Sequence, residues 1–274
     1  MNIYESENQI IIENIDNFDL SDIFDCGQCF RFNKANGGGF EGVAFGKYLK
    51  VSQQNNKIYF DTTPEDFKNI WRGFFDIDRD YKNIFETLRQ KDETMKKASD
   101  FCPGVRILKQ DPFECLISFI ISANNNIPRI KKIIERLCEN FGEPIGTNYY
   151  AFPSAEKIAG LNLEDLDVLK SGFRAKYIHG AAKKVAGGKI NLDSVYNMTL
   201  SEGSEYLQKI SGVGAKISAC VLLFAYNKLE SFPVDVWIKK VLGKYYPGDF
   251  SPHEYFGEYA GIAQEYLYYY ERKQ

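Results

Sequence analysis

The apolar residues of this 274-residue chain change period once, and that single change excludes most fold classes. Up to about residue 61 they fall in short strand-like runs: Gln9-Ile10-Ile11-Ile12, Cys29-Phe30-Arg31-Phe32, Gly42-Val43-Ala44-Phe45, Tyr48-Leu49-Lys50-Val51 and Lys57-Ile58-Tyr59-Phe60. Gly37-Gly38-Gly39, Gly46-Lys47 and Asn55-Asn56 separate runs as tight turns punctuate an antiparallel meander. From Thr63 the spacing is helical, announced by Thr63-Pro64-Glu65-Asp66, a capping residue with proline in the first helical position. Asp111-Pro112-Phe113-Glu114 and Ser251-Pro252-His253-Glu254 repeat that start with glutamate at the third helical position, as in a capping box. Helices are expected over 64–75, 80–90, 112–123, 127–141, 154–160, 163–171, 174–187, 199–209, 214–226, 235–246 and 252–271. Strands gathered at one end and helices at the other give an α+β protein, a small antiparallel sheet packed on an α-helical body. The expected division is 1–110, a β-rich N-terminal domain with the helices that follow it, and 111–274, a helical domain.

The net charge of −3 would by itself speak against phosphate binding, which draws on Lys and Arg. The average hides a polarity: residues 1–30 carry seven acids and no Lys or Arg, whereas residues 170–190 carry Lys170, Arg174, Lys176, Lys183, Lys184 and Lys189 and no acid. That implies one anion-facing surface, although a solvated helix face explains the basic stretch equally well. The longest apolar run, around Cys115 to Ala123, is short of the roughly 20 residues a bilayer needs. Met1-Asn2-Ile3-Tyr4-Glu5 lacks the basic start of an export signal, so a cytoplasmic protein with reduced thiols is expected. Cys26 and Cys29 have CxxC spacing, but no second pair accompanies them and the two histidines, His179 and His253, form no cluster. No metal site is expected.

The most informative segment is Leu207-Gln208-Lys209-Ile210-Ser211-Gly212-Val213-Gly214-Ala215-Lys216, a tight Gly-Val-Gly turn between two helical patterns. Glycines let the backbone turn and approach a ligand closely, and free amides at the next helix N-terminus can grip a phosphate. This is a helix-hairpin-helix signature. Nineteen positions after Gly214 begins Pro233-Val234-Asp235-Val236-Trp237, an extended entry into a helix capped by Asp235.

The run from Ile210 to Trp237 resembles the helix-hairpin-helix, Gly/Pro/Asp superfamily of DNA base-excision glycosylases. The resemblance places Asp235 in the active cleft and makes Lys216 the mark of the bifunctional branch, which also nicks the strand. Breaking an N-glycosidic bond builds positive charge on the sugar, which a fixed carboxylate stabilises. An amine that attacks the sugar must be neutral, a state favoured by desolvation. No cofactor is implied.

Over nearly the whole chain the resemblance is to 8-oxoguanine DNA glycosylases. Cys26-Gly27-Gln28-Cys29-Phe30-Arg31 is similar to that family's Gly-Gln-(Ser/Cys)-Phe-Arg stretch, in which the glycine carbonyl, here Gly27, accepts from N7–H of the oxidised base. Guanine has a lone pair at N7 and would be repelled. Lys216, Cys220 and Phe224 fall on one helix face, as do Gln264 and Tyr268; in the family, Cys220 and Tyr268 sandwich the base and Gln264 reads its edge, the last helix returning to complete the pocket. Asn124 and Arg129 of Asn124-Asn125-Asn126-Ile127-Pro128-Arg129 match residues that in the family contact the space vacated by the lesion and the orphaned cytosine. Gly172-Phe173-Arg174-Ala175-Lys176-Tyr177 matches Gly-Tyr-Arg-Ala-x-Tyr, with Phe173 as wedge and Arg174 as cytosine reader. Gly212, Val213 and Gly214 would hold the DNA phosphate.

Departures are Phe173 for Tyr, Trp237 for a phosphate-contacting His and Phe224 for Met. No cysteine lies beyond Cys220, so the iron–sulfur loop of some superfamily members is absent. The expected protein is a monomer that binds double-stranded DNA containing 8-oxoguanine and no membrane. The competing readings are a glycosylase for alkylated purines and a noncatalytic DNA-binding module that uses only the hairpin.

Overall fold

The computed structural model describes residues 1–146 and 148–274. Among these, six strands form one antiparallel sheet: β1 (Asn2–Glu5), β2 (Ile10–Glu13), β3 (Phe32–Lys34), β4 (Phe40–Ala44), β5 (Lys47–Gln54) and β6 (Lys57–Asp61), in the order β1-β2-β6-β5-β4-β3. Asn55 and Asn56 both take left-handed φ, 49° and 60°, so the two-residue turn matches the twist of β5 and β6 and sets Gln54 opposite Lys57. Alternation then buries Ile10, Ile12, Leu49, Val51, Ile58 and Phe60 on one face. That face packs on the helical segment 64–74, which widens into a π-helical turn at Phe67–Trp71 and buries Phe67, Trp71 and Phe74.

Four segments differ from expectation. The edge strand β1 is an addition, mostly exposed. The run Cys29–Phe32 is a loop that enters a strand only at Phe32, and before it lies an unexpected helix, Leu20–Asp25, whose cap Asp19 accepts from the amides of Ser21 and Asp22. A second unexpected helix, Glu93–Phe101, is capped by Asp92 and buries Met95, Ala98 and Ser99. With Met95 the one large apolar side chain on its buried face, the helix leaves too faint an apolar period to read.

Two hydrophobic cores result. The sheet core takes in Phe24, Phe32, Trp71, Phe75 and Leu108. The helical core is built on Pro112–Ser122 and includes the helices Tyr81–Arg89 and Glu93–Phe101, which precede residue 110 in the chain. Residues 26–31 run between the two: Cys26 and Phe30 face the helical core, Cys29 the sheet core. Gln28, fully buried, fixes this segment. Its Nε2 donates to the Arg106 carbonyl at 2.7 Å, its Oε1 accepts from the Leu108 amide at 2.8 Å, and its own carbonyl accepts from Gln110 Nε2 at 2.8 Å. The C-terminal helix Ala260–Lys273 comes back across the body, and Arg272 donates to the Asp25 carbonyl. No helix among the described residues is long and apolar enough to cross a membrane.

Candidate active site

The Gly-Val-Gly turn joins the helices Leu200–Leu207 and Ala215–Phe224. Gly212 has φ +90°, and a Cβ there would lie 2.6 Å from the Tyr177 ring, so the turn needs glycine both for conformation and for space. Val213 is buried and anchors the turn. Gly214 caps the second helix without a side-chain hydrogen bond, leaving the first-turn amides of an exposed helix N-terminus available to an anion.

Lys216 is the second residue of that helix. Half-buried, its Nζ lies 3.5 Å from Ser122 Oγ and 5.2 Å from the centre of the Phe119 ring. Asp235 caps Val236–Tyr245: Oδ1 accepts from the amides of Trp237 and Ile238, both at 2.9 Å. The cap locks the carboxylate's orientation and leaves its second oxygen to the cleft. Lys216 and Asp235 line one cleft of about 490 Å³, together with Gly27, Asn124, Trp237 and Tyr268.

Behind the cleft is an inner cavity of about 50 Å³, walled by Gly27, Lys216, Cys220, Phe224, Gln264 and Tyr268 among others. Five elements distant in sequence thus bring these predicted residues together. Gly27 has φ +97°, and a Cβ would sit 3.0 Å from Arg272 Nη1 and 3.4 Å from Tyr268 Cε1, so the chain here lies directly against the C-terminal helix. Burial pushes the Cys220 thiol up to about 11, keeping it neutral. Burial also raises Tyr268 to about 12, and its hydroxyl accepts from Arg272 Nη1 at 3.2 Å. Phe224 stacks on Phe119 at 5.4 Å. The side-chain oxygen of Gln264 is buried without a partner. Its volume has room for a few waters.

The residues expected to read the orphaned cytosine lie beside this cleft, where Asn124 forms part of its lining. Phe173 is 54% exposed, an unusual setting for so large an apolar ring, and the Arg174 guanidinium lies 4.5 Å from its centre. Arg174, expected to reach a base edge, is instead buried here: Nε donates to the Ala123 carbonyl at 2.9 Å, Nη2 to the Asn124 carbonyl at 2.7 Å and Nη1 to the Ser171 carbonyl at 3.2 Å. It clamps the turn at Phe173 to the loop after Ser122. Arg129 Nη2 lies 3.3 Å from the Lys170 carbonyl and ties the same two segments. Asn124 is exposed with φ +49°, while Asn125 bonds the Ile121 carbonyl and Asn126 caps Ile127–Phe141.

Sequence reading missed Ser122, Phe119 and Glu265. Ser122 and Phe119 ride an almost wholly apolar helix in which period does not distinguish a cavity face from a core face. For Glu265 the signal was available: an acid in the apolar stretch Ile262-Ala263-Gln264-Glu265-Tyr266-Leu267 is costly to bury.

Residues 10–116 match the family model of the 8-oxoguanine DNA glycosylase N-terminal domain, and residues 117–255 that of the HhH-GPD superfamily base excision DNA repair proteins. A crystal structure of the Clostridium acetobutylicum 8-oxoguanine glycosylase/lyase, in complex with double-stranded DNA containing cytosine opposite 8-oxoG, superposes with a TM-score of 0.94. It shares 40% identity and covers 100% of this chain and 98% of its own. A probable N-glycosylase/DNA lyase of Methanothermobacter thermautotrophicus is 31% identical over 78% of each chain. The N-glycosylase/DNA lyase OGG1 of Arabidopsis thaliana is 27% identical over 89% of this chain and 75% of its own. The chain therefore belongs to the 8-oxoguanine DNA glycosylase/DNA lyase family, within the HhH-GPD superfamily of base excision repair proteins.

Proposed function

We propose that this protein excises 8-oxoguanine opposite cytosine from duplex DNA and then cleaves the strand. The observation that carries the reading is the convergence of Lys216 and Asp235 on one cleft that also reaches Gly27 and Tyr268. The flipped base is held between Cys220 and Tyr268, with Gln264 on its Watson–Crick edge and the Gly27 carbonyl accepting from N7–H. The lone pair of Lys216 Nζ attacks C1′ and the nitrogen sheds a proton; the N9–C1′ bond breaks, its electron pair leaves with the base, and the base takes up a proton. Asp235 stabilises the positive charge that builds on the sugar. The nitrogen lone pair then forms a Schiff base with C1′ as the C1′–O4′ bond breaks and O4′ takes up a proton; loss of a C2′ proton expels the 3′ phosphate by β-elimination, and water releases the lysine.

Phe173 fills the space vacated in the stack, and Asn124, Arg129 and Arg174 address the orphaned cytosine. Arg174 does so by holding the Asn124 loop or, once released from its carbonyls, by direct contact. The hairpin amides around Gly212, Val213 and Gly214 grip the backbone phosphate. A single chain supplies every group in this scheme. The test is borohydride trapping on a duplex with 8-oxoguanine opposite cytosine. Wild type is expected to give a covalent adduct and Lys216→Gln none; excised base without an adduct would remove Lys216 as nucleophile, and excision of methylpurines alone would reassign the substrate.

A further inference from the structure

One group in the base pocket has no part in the scheme above. Glu265, on the C-terminal helix, is 3% exposed and lines the same inner cavity as Lys216, Cys220 and Gln264. Its Oε2 is buried without a hydrogen-bond partner, as is the neighbouring Gln264 Oε1. A buried carboxyl oxygen with nothing to bond is destabilising until a partner arrives, and two unpaired oxygens on one cavity wall mark a surface prepared for a polar ligand.

We infer that Glu265 is a further specificity-determining contact for the flipped base, working beside Gln264. The inference rests on the excision reading above and adds to it one hydrogen bond, donated by the Glu265 carboxyl to a ring carbonyl of the base. The group's surroundings favour the proton-bearing form. Burial pushes Glu265 up to about 8, and Asp235 adds to the rise, while the Cys26 thiol, Arg272 and Lys216 oppose it; the Cys102 and Cys220 thiols and the Tyr268 hydroxyl also face it. At neutral pH Glu265 therefore presents an O–H donor, which suits a carbonyl oxygen. Ionised, it sets a negative oxygen against that carbonyl, and the contact turns from attractive to repulsive.

The experiment compares single-turnover excision of 8-oxoguanine opposite cytosine with cleavage of a duplex carrying a preformed abasic site, from about pH 6 to about 10. The abasic substrate has no base to touch Glu265 but needs Lys216 all the same, so the ratio of the two rates cancels whatever pH does to the chemistry they share. For wild type the ratio is expected to fall about tenfold per pH unit above about pH 8. Glu265→Gln, whose amide still donates, is expected to stay within about threefold of wild type at pH 7 and to lose the alkaline fall. Glu265→Leu is expected to lower the ratio at least about tenfold, with abasic cleavage intact. Equal ratio profiles in wild type and Glu265→Gln, or excision and abasic cleavage falling together in Glu265→Leu, would overturn the inference. Wild-type protein that leaves 8-oxoguanine in place overturns the excision reading and this inference with it.

Discussion

An aspartate that caps a helix has one oxygen occupied before any substrate arrives. At Asp235 the two amide bonds to Oδ1 serve the fold, and the second oxygen carries the charge proposed to act on the sugar. Asparagine caps as well as aspartate but brings no charge. Asp235→Asn is therefore expected to melt within a few degrees of wild type while excision drops about a hundredfold or more, a split that thermal denaturation and single-turnover kinetics read separately. Equal loss in both would make Asp235 a cap and nothing else. At this scale the sequence was legible where spacing carries chemistry: Lys216, Cys220 and Phe224 on one helix face do line one cavity. It was less legible for Arg174, because a guanidinium in a turn has many acceptors within reach and only the fold decides that the carbonyls of Ala123 and Asn124 come first.

Among the elements, the hairpin tolerates least. Gly212→Ala forces a left-handed backbone onto an L-residue and drives its Cβ into the Tyr177 ring. It is expected to cost about 1–3 kcal/mol and to weaken binding to undamaged duplex DNA as the first-turn amides shift; urea unfolding and fluorescence anisotropy measure the two effects. Strong apolar periods and explicit caps made most helices readable from sequence, as at Asp111-Pro112 and Ser251-Pro252. The helix Leu20–Asp25 escaped because it is six residues long and lies in an acid-rich stretch. The Cys29–Phe32 run was read as strand, but its apolar residues divide between two cores, Cys29 and Phe32 facing one and Phe30 the other, rather than between core and solvent.

For the molecule as a whole, burial raises three carboxyls among the described residues, Asp22 to about 6 and two glutamates further. Glu114, 3.4 Å from Arg31, is pushed up to about 7 because burial outweighs its partner; Glu265 reaches about 8. In the unfolded chain both ionise near 4.5. A raised folded value means that their contribution to stability is fully present below about 4.5 and is lost as pH rises, by about 7 for Glu114 and about 8 for Glu265. The urea midpoint is expected to fall between about pH 5 and about 9, and to fall less in Glu265→Gln; identical slopes would show that Glu265 titrates alike folded and unfolded.

The fixing of Gln28 between the two cores reaches beyond stability. If the Gly27 carbonyl tests the base, the deciding atom belongs to the main chain, and no side-chain deletion can remove it. An alanine scan would pass over it and report instead the residues that hold it still. Lesion preference would then be heritable mainly through the scaffold: a lineage that lost Gln28 could keep every reacting group and still lose its power to tell damaged guanine from sound.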